Sequence, residues 1–276
     1  MNKTQKISIN LSVFIILLST IASIGGIFWD GLYQDNDFIN RVWLGNDIIT
    51  LLFVIPLMIT SLVLTTKGCF KAKIIWLGTL WYMIYNYLLY SYGAAFNKFF
   101  LLHIFIFIFS VYAFILGLSS LNMVWLKAKI TSNLKIPFKK ISIYLMFFGL
   151  FIGGMWIAMS VNYVFSGDIP DGITQTGHSS AVVFATDLAF LVSLLIVGGF
   201  LLWRKNVWGY VISSILMMKC FLYPLVLALG GLLAYQETRQ YDPLTPGYII
   251  LGIGCFICLW YLLNGLKTSG QEGFSR

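Results

Sequence analysis

The sequence predicts an all-α polytopic membrane protein, with eight transmembrane helices in a single integral membrane domain over residues 1–276. Three observations carry that expectation. Hydrophobic residues make up 59% of the chain and charged residues only 10%, whereas a soluble domain carries about 25% charged residues. The mean hydropathy of +0.86 is too apolar for a surface covered by water. Eight apolar runs reach the roughly 20 residues that a helix needs to cross the hydrocarbon core. The alternation of a barrel strand is absent, which leaves helices as the spanning element.

The first run, 8–28, follows Lys3 and Lys6 as the core of a signal peptide would. It is long enough to span and no A-x-A site follows it, so it reads as a retained helix. The second run, 47–66, opens on Asp47 in the position of an N-cap and contains Pro56. The third run, 74–93, is aromatic. Thr79, Tyr82, Asn86, Tyr90, Gly93 and Asn97 recur every three or four residues and make one polar stripe. Lipid favours apolar surface, so this stripe is expected to face the bundle interior, as a site lining or as interhelical hydrogen-bonding glue.

The fourth run, 100–122, carries His103 near its start, and the fifth, 141–164, carries Asn162 near its end. The sixth, 180–202, contains Asp187, and the seventh, 207–234, contains Lys219 and Pro224. Each proline removes a helical donor, which frees the carbonyls of Leu52 and Cys220. The eighth run, 247–267, contains CFIC at 255–258, read as packing thiols. Cys69 lies in a loop and the other three cysteines lie in helices, so no disulfide framework is expected. The longest connections, 29–46, 123–140 and 235–246, are too short to be folded domains. Trp29, Trp43, Trp76, Trp125, Trp203 and Trp208 fall near run boundaries and read as interface anchors.

Charge sets the expected orientation. With the N-terminus inside, the inner segments hold fourteen basic residues: Lys3, Lys6, Lys67, Lys71, Lys73, Lys127, Lys129, Lys135, Lys139, Lys140, Arg204, Lys205, Lys267 and Arg276. The outer segments hold three, Arg41, Lys98 and Arg239. Basic loops stay on the cytoplasmic side, which places both termini in the cytoplasm of a cell (plasma or inner) membrane protein. The net charge of +8 therefore reads as topology and attraction to anionic membrane lipids, not as nucleic-acid binding. The basic stretch 127–140 reads as a lipid-contacting loop.

The halves look related. KISIN (6–10) parallels KISIY (140–144), and NYLLY (86–90) parallels KCFLY (219–223). The expectation is two parallel four-helix repeats, 6–122 and 140–267, with Lys219 standing where the first half has Asn86.

Lys219 is the one lysine or arginine well inside a run. Twelve residues past Val207, it lies about 18 Å up its helix; Asp187, seven past Ser180, lies about 10 Å below the opposite boundary. In a core of about 30 Å these depths coincide. A lone mid-membrane charge costs on the order of 2.5–3.5 kcal/mol, so the two residues are expected to form an ion pair, structural or functional. The candidate site is a polar pocket in the outer half formed by Lys219, Asp187, Asn86, Tyr90, Tyr82, Tyr223, Asp47 and His103. His103 and His178 are the only histidines; two could hold one haem, but no supporting motif accompanies them, so no cofactor and no metal are expected. P-loop, HExxH and GxSxG motifs are absent. The expected function is a transporter or channel for a small solute or ion. The alternatives are a sensor, accessory or assembly subunit, and a membrane-embedded enzyme acting on a lipid or quinone.

Overall fold

The computed structural model describes residues 3–131, 136–177, 180–239 and 245–266. The helices are α1 Lys3–Phe28, α2 Asp37–Ile49, α3 Ile55–Thr66, α4 Phe70–Tyr92, α5 Phe100–Ser119, α6 Met123–Thr131, α7 Phe138–Ser166, α8 Asp171–Thr174, α9 Val182–Thr186, α10 Ser193–Trp203, α11 Val207–Thr238 and α12 Thr245–Gly265. A π-helical turn, Thr50–Val54, joins α2 to α3, and a second, Asp187–Val192, joins α9 to α10. Each pair is thus one continuous helix. The described residues contain no β-strand, and seven helices are long and apolar enough to cross a membrane. The chain is an all-α membrane protein.

The expected count of eight is not reached, and α4 is the difference. Its 23 residues are enough to span, but 17 of them are buried. A helix enclosed by other helices need not be apolar toward lipid. Tyr82, Tyr85, Asn86, Tyr87 and Tyr90 of α4 all face protein, and they lower its hydropathy. The outer helices show the opposite pattern: Phe14, Leu17 and Ile21 of α1 and Phe147, Leu150 and Phe151 of α7 are exposed.

Helices α4 and α11 form the central pair. Helix α4 packs on α3, α5 and α11; α11 packs on α2, α4, α10 and α12. Helix α1 covers α5 and α2, and α7 covers α10. Side-chain contacts define the two ends. At one, Lys71 Nζ donates to Asn264 Oδ1 at 2.7 Å and Tyr210 donates to the Leu262 carbonyl at 3.1 Å. This end gathers most of the lysines. At the other, the Ala95 N–H donates to Asp35 and Asn36 Nδ2 donates to the Gln175 carbonyl. This end gathers Asp30, Asp35, Asp37, Asp168 and Asp171. They are called below the basic and acidic ends.

At the basic end buried Lys73 donates to the Ser120 carbonyl at 2.7 Å, just past the last turn of α5. Cations are favoured there by the helix dipole.

Three expectations need correction. The second span begins at Asp37, not Asp47. Its N-cap is Asn36, whose Oδ1 accepts from the Ile39 N–H at 2.9 Å, so Asp47 lies inside the helix. Trp76 and Trp43 are not lipid anchors. Both are buried, and their indole N–H groups donate to Ser12 Oγ at 3.1 Å and Asp35 Oδ2 at 3.0 Å. Trp29, Trp203 and Trp208 remain exposed.

Glycine sets the α2–α11 distance. A Cβ on Gly45 would meet the backbone of Gly230 at 2.7 Å. Gly45→Val is expected to destabilise the protein by about 1–3 kcal/mol through overpacking, read as a lower melting temperature in detergent. Gly154→Val is the control, because a Cβ there meets nothing within 4 Å. Equal losses in both variants would contradict the close helix approach.

Candidate functional site

A cavity of about 260 Å³ lies between the central helices. Its walls come from α2, α4, α7, the α9–α10 helix, α11 and α12. Most of the lining is apolar, with Phe38, Ile152, Leu191 and Leu227 among it. One wall is polar and consists of Tyr85, Trp156, Asp187, Lys219 and Tyr223.

Each polar group is held by its element. Asp187 is the first residue of the second π turn, and π turns often mark functional positions. Its carboxylate accepts from Tyr85 OH at 2.5 Å and from Trp156 Nε1 at 3.0 Å. Trp156 is fixed in turn by stacking on Phe184 of α9, with ring centroids 4.0 Å apart. Lys219 is 2% exposed. Its ammonium lies 3.5 Å from the Tyr85 ring centroid and 4.4 Å from that of Tyr223. Those two rings meet edge to face at 5.1 Å, which forms a corner for the cation. Pro224 sits one turn along α11, and Gly252 of α12 packs against its ring and the Cys220 carbonyl.

The expected Lys219–Asp187 ion pair is therefore replaced by a bridged arrangement. No direct ion pair joins them among the described residues. Tyr85 lies between, its hydroxyl on the acid and its ring under the base. Desolvated cation–π contacts are worth up to about 2 kcal/mol each, comparable for two rings to the roughly 2.5–3.5 kcal/mol of burying the lysine.

The remaining candidates form a separate network around α2 and α4. Asn46 Nδ2 donates to Asn86 Oδ1 at 2.6 Å, and Tyr82 OH donates to Asn46 Oδ1 at 3.0 Å. Thr50 and Tyr82 hydroxyls are 3.1 Å apart. Tyr33 donates to Asp47 Oδ2 at 2.5 Å. Tyr90 stacks on Trp43 at 4.5 Å, with the His103 ring 4.7 Å from Tyr90. The polar stripe of the third run, which lies on α4, thus splits. Tyr82, Asn86 and Tyr90 face this network; Gly93 borders the cavity; Asn97 orders its own loop through the Phe99 N–H. Asn162 is exposed and joins neither site. His178 lies outside the described residues.

No family model, curated protein or solved structure matches the chain. The chemistry of the site must speak from its own residues. The described residues hold no cluster of three or more His, Cys, Asp or Glu able to bind a metal. What the cavity offers is an apolar body, a carboxylate already hydrogen-bonded and an ammonium that is not.

The sequence reading missed Tyr85 and Trp156. Tyr85 lies one residue off the stripe of Tyr82, Asn86 and Tyr90, and helical spacing cannot say which of two adjacent stripes meets a charge. Trp156 did carry a signal: it sits well inside a span, away from the boundaries where tryptophan gathers.

Tyr85→Phe keeps the ring under Lys219 and removes the donor to Asp187. The expected loss is about 1 kcal/mol, the scale of interhelical hydrogen bonds in membranes. Tyr85→Leu removes the ring as well and is expected to lose more, measured as thermal stability in detergent. Equal losses would mean that the ring does not hold the lysine.

Proposed function

We propose that the protein is a membrane transporter for a small, anion-headed amphiphile. Its acidic group would sit on Lys219 and its apolar body along the α7 and α12 wall. One observation carries this reading, the asymmetry of the two charges. Asp187 already accepts on both oxygens. Lys219 has three N–H donors and rests on ring faces alone. A carboxylate, sulfonate or phosphate entering the cavity would convert those ring contacts into charge-assisted hydrogen bonds. The volume, near the lower end of small-molecule sites at about 300 Å³, limits the occupant to a small molecule.

The direction of access has its own support. Thr176 and Gly231 line the cavity near the acidic-end loops. Toward the basic end the central helices close up. A Cβ on Gly78 of α4 would overlap Met218 of α11, and Trp76 and Tyr210 are fully buried. That arrangement supports the reading of a carrier open toward its acidic end.

In this reading α4 is the eighth span, since its 23 residues rise about 34 Å against a core of about 30 Å. Eight spans put both termini on the basic side, which the positive-inside rule makes cytoplasmic. The cavity then opens to the outside of a cell membrane. Parallel repeats fit the packing: in each half the first span meets the second, the second the third, and the third the fourth. Each half also sets a buried aspartate beside a π turn, Asp47 before the first and Asp187 opening the second. The polar site would lie between the repeats, as in other two-repeat carriers.

The close packing of the basic half also favours a second reading, a binding or sensing module that never opens inward. One experiment separates the two. The probe is p-toluenesulfonate, a small aromatic anion that stays charged. Wild-type protein in detergent is expected to melt at higher temperature with it, and Lys219→Met to weaken binding at least about tenfold, or 1.4 kcal/mol. Uptake into proteoliposomes supports transport, and binding without uptake supports the sensing module. Undiminished binding by Lys219→Met would remove the lysine from the site.

A further inference from the structure

A second buried acid lies outside the cavity. Asp47 is 2% exposed and sits at the end of α2, just before the first π turn. The groups around it come from four elements. Ser23 and Gly26 face it from α1, Tyr33 from the loop before α2, and Tyr82, Tyr87 and Tyr90 from α4. His103 of α5 stacks behind Tyr90. Among the described residues no lysine, arginine or histidine pairs with the carboxyl. An unpaired carboxylate in an apolar interior is strongly disfavoured, and a cation relieves it.

Two further features mark the place as more than packing. The Ser23 and Tyr87 hydroxyls beside the acid are buried and make no hydrogen bond of good geometry, although Ser23 lies close enough to act on both Asp47 and Tyr87. The acid also lies behind a water-facing vestibule of about 240 Å³ at the acidic end, lined by Gly26, Asp30, Tyr33, Asp37 and Arg41. Tyr33 belongs to both sides: it borders the vestibule and donates to Asp47 Oδ2 at 2.5 Å. Gly26 sets the thickness of the partition, because a Cβ there would overlap the Asp47 carboxylate and crowd the Tyr33 hydroxyl. The Gly26 backbone and the Tyr33 phenol stand between the acid and the vestibule. Through such a partition a proton passes along a hydrogen bond, and an organic ligand does not.

We propose that Asp47 is a proton-exchange site, loaded from the acidic-end vestibule through the Tyr33 hydroxyl and separate from the Lys219 cavity. In the loading step a hydronium ion in the vestibule gives a proton to the Tyr33 oxygen. The original Tyr33 hydroxyl proton passes to Asp47 Oδ2. Hydronium becomes water, carboxylate becomes carboxylic acid, and the tyrosine ends unchanged. The spare hydroxyls of Ser23 and Tyr87 are placed to serve either form of the acid.

The test is infrared difference spectroscopy of the full chain in nanodiscs, between acidic and alkaline buffer. Wild type is expected to show a carboxylic-acid carbonyl band that Asp47→Asn removes and Asp187→Asn leaves. After a pH jump, Tyr33→Phe should reach the same band at least about tenfold more slowly, a modest share of what a positioned proton relay contributes. A band that survives in Asp47→Asn, or a wild-type spectrum with no such band, overturns the site. An unchanged rate in Tyr33→Phe overturns the path. Should Asp47→Asn fail to fold, Asp47→Glu keeps the carboxyl and is expected to move the band; an unmoved band overturns the assignment. Replacing potassium by sodium at fixed pH is expected to change nothing, and loss of the band in sodium would make the ligand a metal cation instead.

Discussion

The Tyr85 side chain is the point on which the centre of this bundle depends. Its hydroxyl holds Asp187 on the α9–α10 helix and its ring carries Lys219 on α11. Lipid offers neither charge a partner, so the protein must supply one from within. Both charges therefore turn toward α4, and α4 must be central. That one requirement explains why the most enclosed of the long helices is also the least apolar of them, and why the apolar helices α1, α5 and α7 lie toward lipid.

Helix α4 meets the demand with two faces. Tyr85 and Leu89 border the cavity. Tyr82, Asn86 and Tyr90 tie α4 to α2 and the acid at its end. The α2 face is held by hydrogen bonds among the side chains of Asn46, Asn86 and Tyr82. The cavity face is closed by rings. Glycines set the rest of the frame, with Gly45 against Gly230 between α2 and α11, and Gly78 against Met218 between α4 and α11.

The fold class was legible because lipid imposes a composition on everything it touches, and 59% hydrophobic residues cannot be hidden in water. The span count was not, because α4 touches little lipid and escapes that constraint. The depth arithmetic on Lys219 and Asp187 led to a pair, since rise per residue fixes height along a helix. It says nothing of rotation about the axis, and rotation put Tyr85 between them. Asp47 was read as a cap because the apolar run begins there. The true cap, Asn36, lies one residue before Asp37, ahead of a first turn that is polar on its solvent side. His103 and Asn162 share a height near the acidic end but face opposite ways, one buried and one exposed.

The way Lys219 is held bears on what it can do. A hydrogen bond to a carboxylate is directional and must be broken before another anion can bind. A cation over a ring is held by a broad electrostatic attraction. Its N–H groups keep their capacity to donate, and the rings can stay in place when an acceptor arrives. Asp187 is satisfied by Tyr85 and Trp156, so it does not compete for those donors, yet it remains close enough to keep the lysine's charge tolerable in the membrane interior. The protein thus holds the lysine at the wall of a mostly apolar cavity without spending its hydrogen bonds. In the proposed transporter reading those donors are left for an entering anion, and a direct Lys219–Asp187 pair would have taken them up.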